Sequence, residues 1–191
     1  MATIPAATPL LSREAVCALK ASGLDQMALS LDAATAQAHD RFRGVEGAFA
    51  KTLEAIQWAH DALLPVQINS VISQHNVDAL DQLIHLVQRL GVGFWEGFFL
   101  VPMGRGTKLP GLSATQYEEA FAALYRLSRH APFILKVTEA PHFRRYFYER
   151  RLEELGIDPS ALTWNGLELP AELRRIEGPR GSIGHSPQAV N

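Results

Sequence analysis

The 191 residues are 47% apolar and 20% charged, with a net charge of −2, an ordinary globular composition with room for one core. That balance provides no basic field for nucleic acid or an anionic membrane, and no apolar run approaches the roughly 20 residues of a spanning helix. The start of the chain shows no charged segment leading into a long apolar one, so a cytoplasmic location is expected. A single cysteine, Cys17, excludes an internal disulfide framework. It also excludes an iron–sulfur cluster ligated by this chain alone, which needs several thiolates.

In chain order, residues 1–11 are small and proline-punctuated, a loop or strand remnant. Ser12 is placed to cap a short helix from Arg13 to Ala21, with Gly23 just beyond it. Cys17 falls in this helix and is expected to pack as a small apolar residue. Gln26 to Leu31 is the first strand, and Asp32 ends its apolar run. Residues 33–48 read as a long connection into a helix from Phe49 to His60, where Phe49, Leu53 and Ile56 recur at helical spacing. A second strand spans Val66 to Ile72. Asn76 is expected to cap a helix from Asp78 to Leu90, with Leu80, Leu83, Ile84 and Val87 on its buried stripe. Phe94 to Val101 is a third strand, apolar enough to suggest burial on both faces. Ser113 and Gln116 form a capping box for a helix to about Ser128. Phe133 to Thr138 is a fourth strand, and Pro141 opens a charged helix to Leu155. The pattern then decays, so residues 1–156 are read as the folded part and 157–191 as an extended tail.

Strands alternating with helices predict an α/β fold with a parallel sheet, because parallel neighbours need crossover connections. Three or four strands are too few to close a barrel, so exposed sheet edges and self-association through them are expected. In such folds loops gather at the carboxyl ends of the strands. Ser30, Asp32, Arg43, Asn69 and the turn at Val101-Pro102 are therefore candidates to meet.

Each candidate has two readings. Ser30 and Asp32 suit a small polar ligand or a capped strand end. Arg41 and Arg43 suit a carboxylate or form a solvated turn. Asn69, polar in an apolar strand, needs a ligand or a neighbouring loop as partner. Gly104-Arg105-Gly106 with Lys108 invites a phosphate-ligand reading but lacks the Lys-Ser/Thr ending of a phosphate loop. The seven histidines show no i, i+4 metal spacing around a carboxylate, so no histidine metal site is expected.

One resemblance covers roughly residues 10 to 150. Leu29-Ser30-Leu31-Asp32, Ala38-His39-Asp40-Arg41-Phe42-Arg43-Gly44, Leu64-Pro65-Val66-Gln67-Ile68-Asn69, His75-Asn76 and Phe99-Leu100-Val101-Pro102 stand in this order. With them the chain resembles the later part of a radical S-adenosylmethionine (radical SAM) enzyme core of the SPASM-associated type. The resemblance implies the later half of a partial (βα)6 barrel similar to a TIM barrel, followed by the tail. It implies that Ser30 and Arg43 contact S-adenosylmethionine, that Val101 lies near its adenine, and that Asp32 and Asn69 are polar strand-end residues of the same site. Intact members use a [4Fe-4S] cluster and S-adenosylmethionine to make a 5′-deoxyadenosyl radical that modifies a substrate, a peptide or a tetrapyrrole among them. The family's C-x3-C-x2-C motif and the later SPASM cysteines are not found here, so a fragment without radical activity of its own is expected. The alternative is a non-catalytic α/β interaction or structural module on the same scaffold.

Overall fold

A computed structural model describes residues 1–8, 10–103, 107 and 109–158. Five strands, β1 (Ala2–Thr3), β2 (Gln26–Ser30), β3 (Val66–Ile72), β4 (Phe94–Phe99) and β5 (Ile134–Thr138), form one sheet in sequential order. Every pairing is parallel. The helices are α1 (Arg13–Ala21), α2 (Ala36–Arg43), α3 (Ala48–Asp61), α4 (Leu80–Arg89), α5 (Ala114–Ser128) and α6 (Pro141–Leu155). This is the α/β architecture of a partial βα barrel.

Sequential order has a strong consequence. Crossovers between parallel neighbours are right-handed, so an unreversed series puts its helices on one side of the sheet. Burial along β3 agrees: Val66, Ile68, Ser70 and Ile72 are buried, while Gln67, Asn69 and Val71 between them are only partly so. The buried side is the core. Trp95 donates its indole N–H to Ser70 Oγ at 2.9 Å, and Ser70 in turn donates to the Leu31 carbonyl, so this buried hydroxyl is satisfied. Phe99 meets Phe121 of α5 edge-on, and Phe121 also touches Phe143 and Tyr146 of α6. The α4 stripe of Leu80, Leu83, Ile84, Leu86 and Val87 is buried, each side chain contributing about 1.5–3 kcal/mol before entropy is subtracted.

Several expectations change. The connection at residues 33–48 contains α2, capped by Thr35 Oγ1, which accepts from the Ala38 N–H. Its sequence mixes polar residues with few apolar ones, so periodicity did not reveal it. Five strands stand where three or four were expected, because Ala2–Thr3 joins the edge of β2. The third strand ends at Phe99, and only its helix-side face is packed in the core. Asn76 does not cap α4; a 3₁₀ turn (Val77–Ala79) intervenes, and its side chain is committed elsewhere. Cys17 is exposed rather than packed. The glycine-rich loop at 104–106, Lys108 and the tail from 159 lie outside the described residues.

Candidate functional site

The carboxyl end of β2 is densely hydrogen-bonded. Asp32 follows the strand and is fully buried. Its Oδ1 accepts the Val71 N–H at 2.8 Å, which ties β2 to β3 beyond their last ladder pair, Ser30 opposite Asn69. Its Oδ2 faces Arg43 Nη2 at 2.5 Å. No aligned hydrogen bond reaches that oxygen, so the contact is ionic. Asn76 Nδ2 donates to both the Asp32 and Val71 carbonyls at 2.7 Å. The turn that carries Asp32 is thereby clamped from two sides.

His39, one turn into α2, is also buried. Its Nδ1 accepts the Asp32 N–H at 3.1 Å, which requires the neutral ring with its proton on Nε2. Burial holds its pKa below the ordinary value, only partly countered by the nearby Asp32 charge. Asp40, the next residue, organises the junction with α3. Its two oxygens accept the N–H groups of Gly47 and Phe49 at 2.7 Å, capping α3 from outside its own turn. Gly44 and Gly47 both take positive φ, 69° and 77°, which lets the chain reverse between α2 and α3.

These turns enclose a cleft of about 470 Å³ lined by Pro5, Thr8, Ser30, His39, Arg43 and Gly47 among others. Ser30 and Arg43 thus share one cavity, with Asp32 sealed behind the guanidinium. Arg41 departs from this grouping. It lines a second hollow, with Gln37, Phe42 and His75, where Phe42 and His75 stack at 3.8 Å. Val101, two residues beyond β4, is 43% exposed, and among the described residues no hydrogen bond or ion pair joins it to the cleft.

Beside the cleft, the face of the sheet that is helix-free among the described residues carries a polar row. Ser30, Asn69, Glu96 and Lys136 are in register across four adjacent strands. Glu96 Oε1 takes Lys136 Nζ at 2.7 Å and the Thr138 hydroxyl at 2.8 Å. Gln67 Nε2 donates to Asn69 Oδ1 at 2.7 Å and to Glu96 Oε2 at 3.2 Å.

No family profile matches the chain. It is 36% identical over 154 residues to the AdoMet-dependent heme synthase of Methanosarcina barkeri, a match covering 81% of this chain and 44% of that protein. Against the AdoMet-dependent heme synthase of Nitratidesulfovibrio vulgaris identity is 35% over 147 residues, 76% of this chain and 40% of the other. The PqqA peptide cyclase of Methylocella silvestris is 37% identical over 81 residues, 42% and 22% respectively. These are radical SAM enzymes of the SPASM type. The chain is their homologue. It spans less than half the length of the heme synthases it matches.

Set beside these relatives, the chain brings together four of the five residues singled out from its sequence. Ser30 and Arg43 line the cleft, Asp32 stands behind Arg43, and Asn69 is the ladder neighbour of Ser30. His39, Glu96 and Lys136 were not singled out. Glu96 and Lys136 each interrupt an apolar strand, the same signal that marked Asn69. His39 gave none, because its role depends on the fold of α2. Among the described residues no three His, Cys, Asp or Glu side chains gather to hold a metal ion, and no helix is long and apolar enough to cross a membrane.

Proposed function

We propose that this chain forms the S-adenosylmethionine-binding wall of a radical SAM enzyme barrel. The cofactor occupies the cleft at the end of β2, and the substrate lies over the helix-free face. The observation that carries this is the convergence of Ser30 and Arg43 on one cleft. The planar fork of Arg43 suits the cofactor's carboxylate, and the Ser30 hydroxyl suits a ribose or amine group. Asp32 acts one step back, fixing the guanidinium through the ionic contact at 2.5 Å. Asn69 stands beside Ser30, and Val101 is assigned the adenine end by resemblance alone.

In the family, S-adenosylmethionine supplies a 5′-deoxyadenosyl radical when a reduced [4Fe-4S] cluster is present. The residues of this chain do not fit that cluster: the one cysteine lies exposed on α1, away from the cleft lining. What the chain's own side chains do is bind and orient the cofactor. The names of its relatives offer tetrapyrrole and peptide substrates as classes; the second reading is a non-catalytic module that keeps the scaffold.

Equilibrium dialysis with radiolabelled S-adenosylmethionine tests binding. Saturable uptake is expected, weakened at least tenfold in Arg43→Ala and in Ser30→Ala. Lack of uptake by the unaltered chain overturns the cofactor assignment and leaves the module. After iron–sulfur reconstitution and reduction, no 5′-deoxyadenosine is expected from this chain alone, and its formation would show that the cluster assignment is wrong.

A further inference from the structure

The polar network on the helix-free face has a direction, and Glu96 sets it. An ionised carboxylate only accepts hydrogen bonds. The Glu96 side chain is 11% exposed and has both oxygens occupied, by Lys136 and Thr138 on one and by Gln67 on the other. Gln67 must therefore turn its NH₂ toward Glu96, so its amide orientation is dictated by charge. Its Oε1 then points the opposite way, where it accepts from Gln26 Nε2 at 3.1 Å. The second N–H of the same NH₂ donates to Asn69 Oδ1. Asn69 is left presenting its own NH₂ outward, and among the described residues that group has no acceptor.

Lys136 completes the pattern. One of its three N–H groups serves Glu96, and the side chain is 35% exposed. From Asn69 to Lys136, each side-chain acceptor atom already takes at least one hydrogen bond inside the network, and the N–H groups without an acceptor there belong to Asn69 and Lys136. Phe94 and Phe98 share this face, one rung to either side of Glu96, and are only partly buried.

We propose that this row selects a carboxylate-bearing molecule, whose carboxylate meets the Lys136 ammonium while the Asn69 NH₂ donates to a second acceptor on the same molecule. Glu96 is a positioning residue that aims both donors. The proposal deepens the reading of this face as the substrate surface. It does not require the cofactor to bind.

The test uses hippurate, which carries a carboxylate, an amide carbonyl and a phenyl ring, against neutral hippuramide. Binding to the ¹⁵N-labelled chain is followed by NMR through the Asn69 side-chain amide. Hippurate is expected to shift that signal saturably, with hippuramide at least tenfold weaker. Lys136→Gln is expected to erase the preference, and Glu96→Gln to abolish the Asn69 shift with the backbone spectrum otherwise preserved. Equal binding of the two probes, no binding of hippurate, or a preference that survives in Lys136→Gln overturns the proposal. S-adenosylmethionine is titrated separately and read at Ser30 and Arg43. Failure there with hippurate binding intact would remove the cofactor assignment alone, and the converse would remove only the carboxylate site.

Discussion

Asp32 is the residue on which the cleft depends, since one carboxylate serves β3 through Val71 and α2 through Arg43. Asp32→Ala would leave the Val71 N–H unpaired and Arg43 unheld. A loss of about 1–3 kcal/mol in urea unfolding is expected, together with weaker S-adenosylmethionine binding; full stability in this variant would mean the contacts contribute little. His39 and His75 give the fold a pH dependence. Burial lowers both pKa values from their ordinary level, so each ring takes up its proton more readily unfolded than folded. The stability they contribute is complete above about pH 6.5 and is lost as pH falls from there through the lowered folded-state values. Urea midpoints should therefore decline below about pH 6.5, and His39→Asn, which keeps an acceptor near Nδ1 but does not titrate, should flatten the decline. An unchanged slope would assign the effect to other groups.

At the scale of elements, Asp40 links the end of α2 to the start of α3. Asp40→Ala removes the acceptor of two N–H groups at that junction and is expected to cost about 1–2 kcal/mol. Hydrogen exchange at Gly47 and Phe49 should rise with it, and unaltered protection there would rule out the capping role. The elements that sequence made legible share a cause. The stripe of α4, the Ser113 and Gln116 box and the strand from Val66 to Ile72 are local patterns, complete within a dozen residues. What stayed hidden is long-range. α2 has weak periodicity and is held by His39 and Arg43 reaching back to Asp32. β1 has two residues and exists only because β2 is there to pair with it. Asn76 reads as a helix cap because its partners, the carbonyls of Asp32 and Val71, cannot be seen from its neighbours in sequence. The same limit applies to the site. Ser30 and Asn69 stood out as polar residues in apolar strands and Arg43 as a basic turn residue, whereas the pairing of Glu96 with Lys136 required the register of β4 and β5.

At the scale of the whole molecule, the sheet of the described residues has an open edge at β1 and another at β5, and its face without described helices is partly exposed. Such edges accept further strands. Light scattering after size exclusion is expected to show a mass that rises with concentration. Ile134→Lys, at an exposed position of β5, should reduce the rise; a constant monomer mass would show that the edges are protected. The sequential strand order also has a consequence for how the chain folds. Each strand pairs with the strand made just before it, so none has to be threaded between two already in place. During synthesis, every new βα unit docks on an edge that already exists, and β2 with β3 complete the Asp32 clamp before β5 has emerged. Opening of the native state should run in reverse, shedding β5 first and leaving the Ser30–Arg43 cleft assembled on what remains.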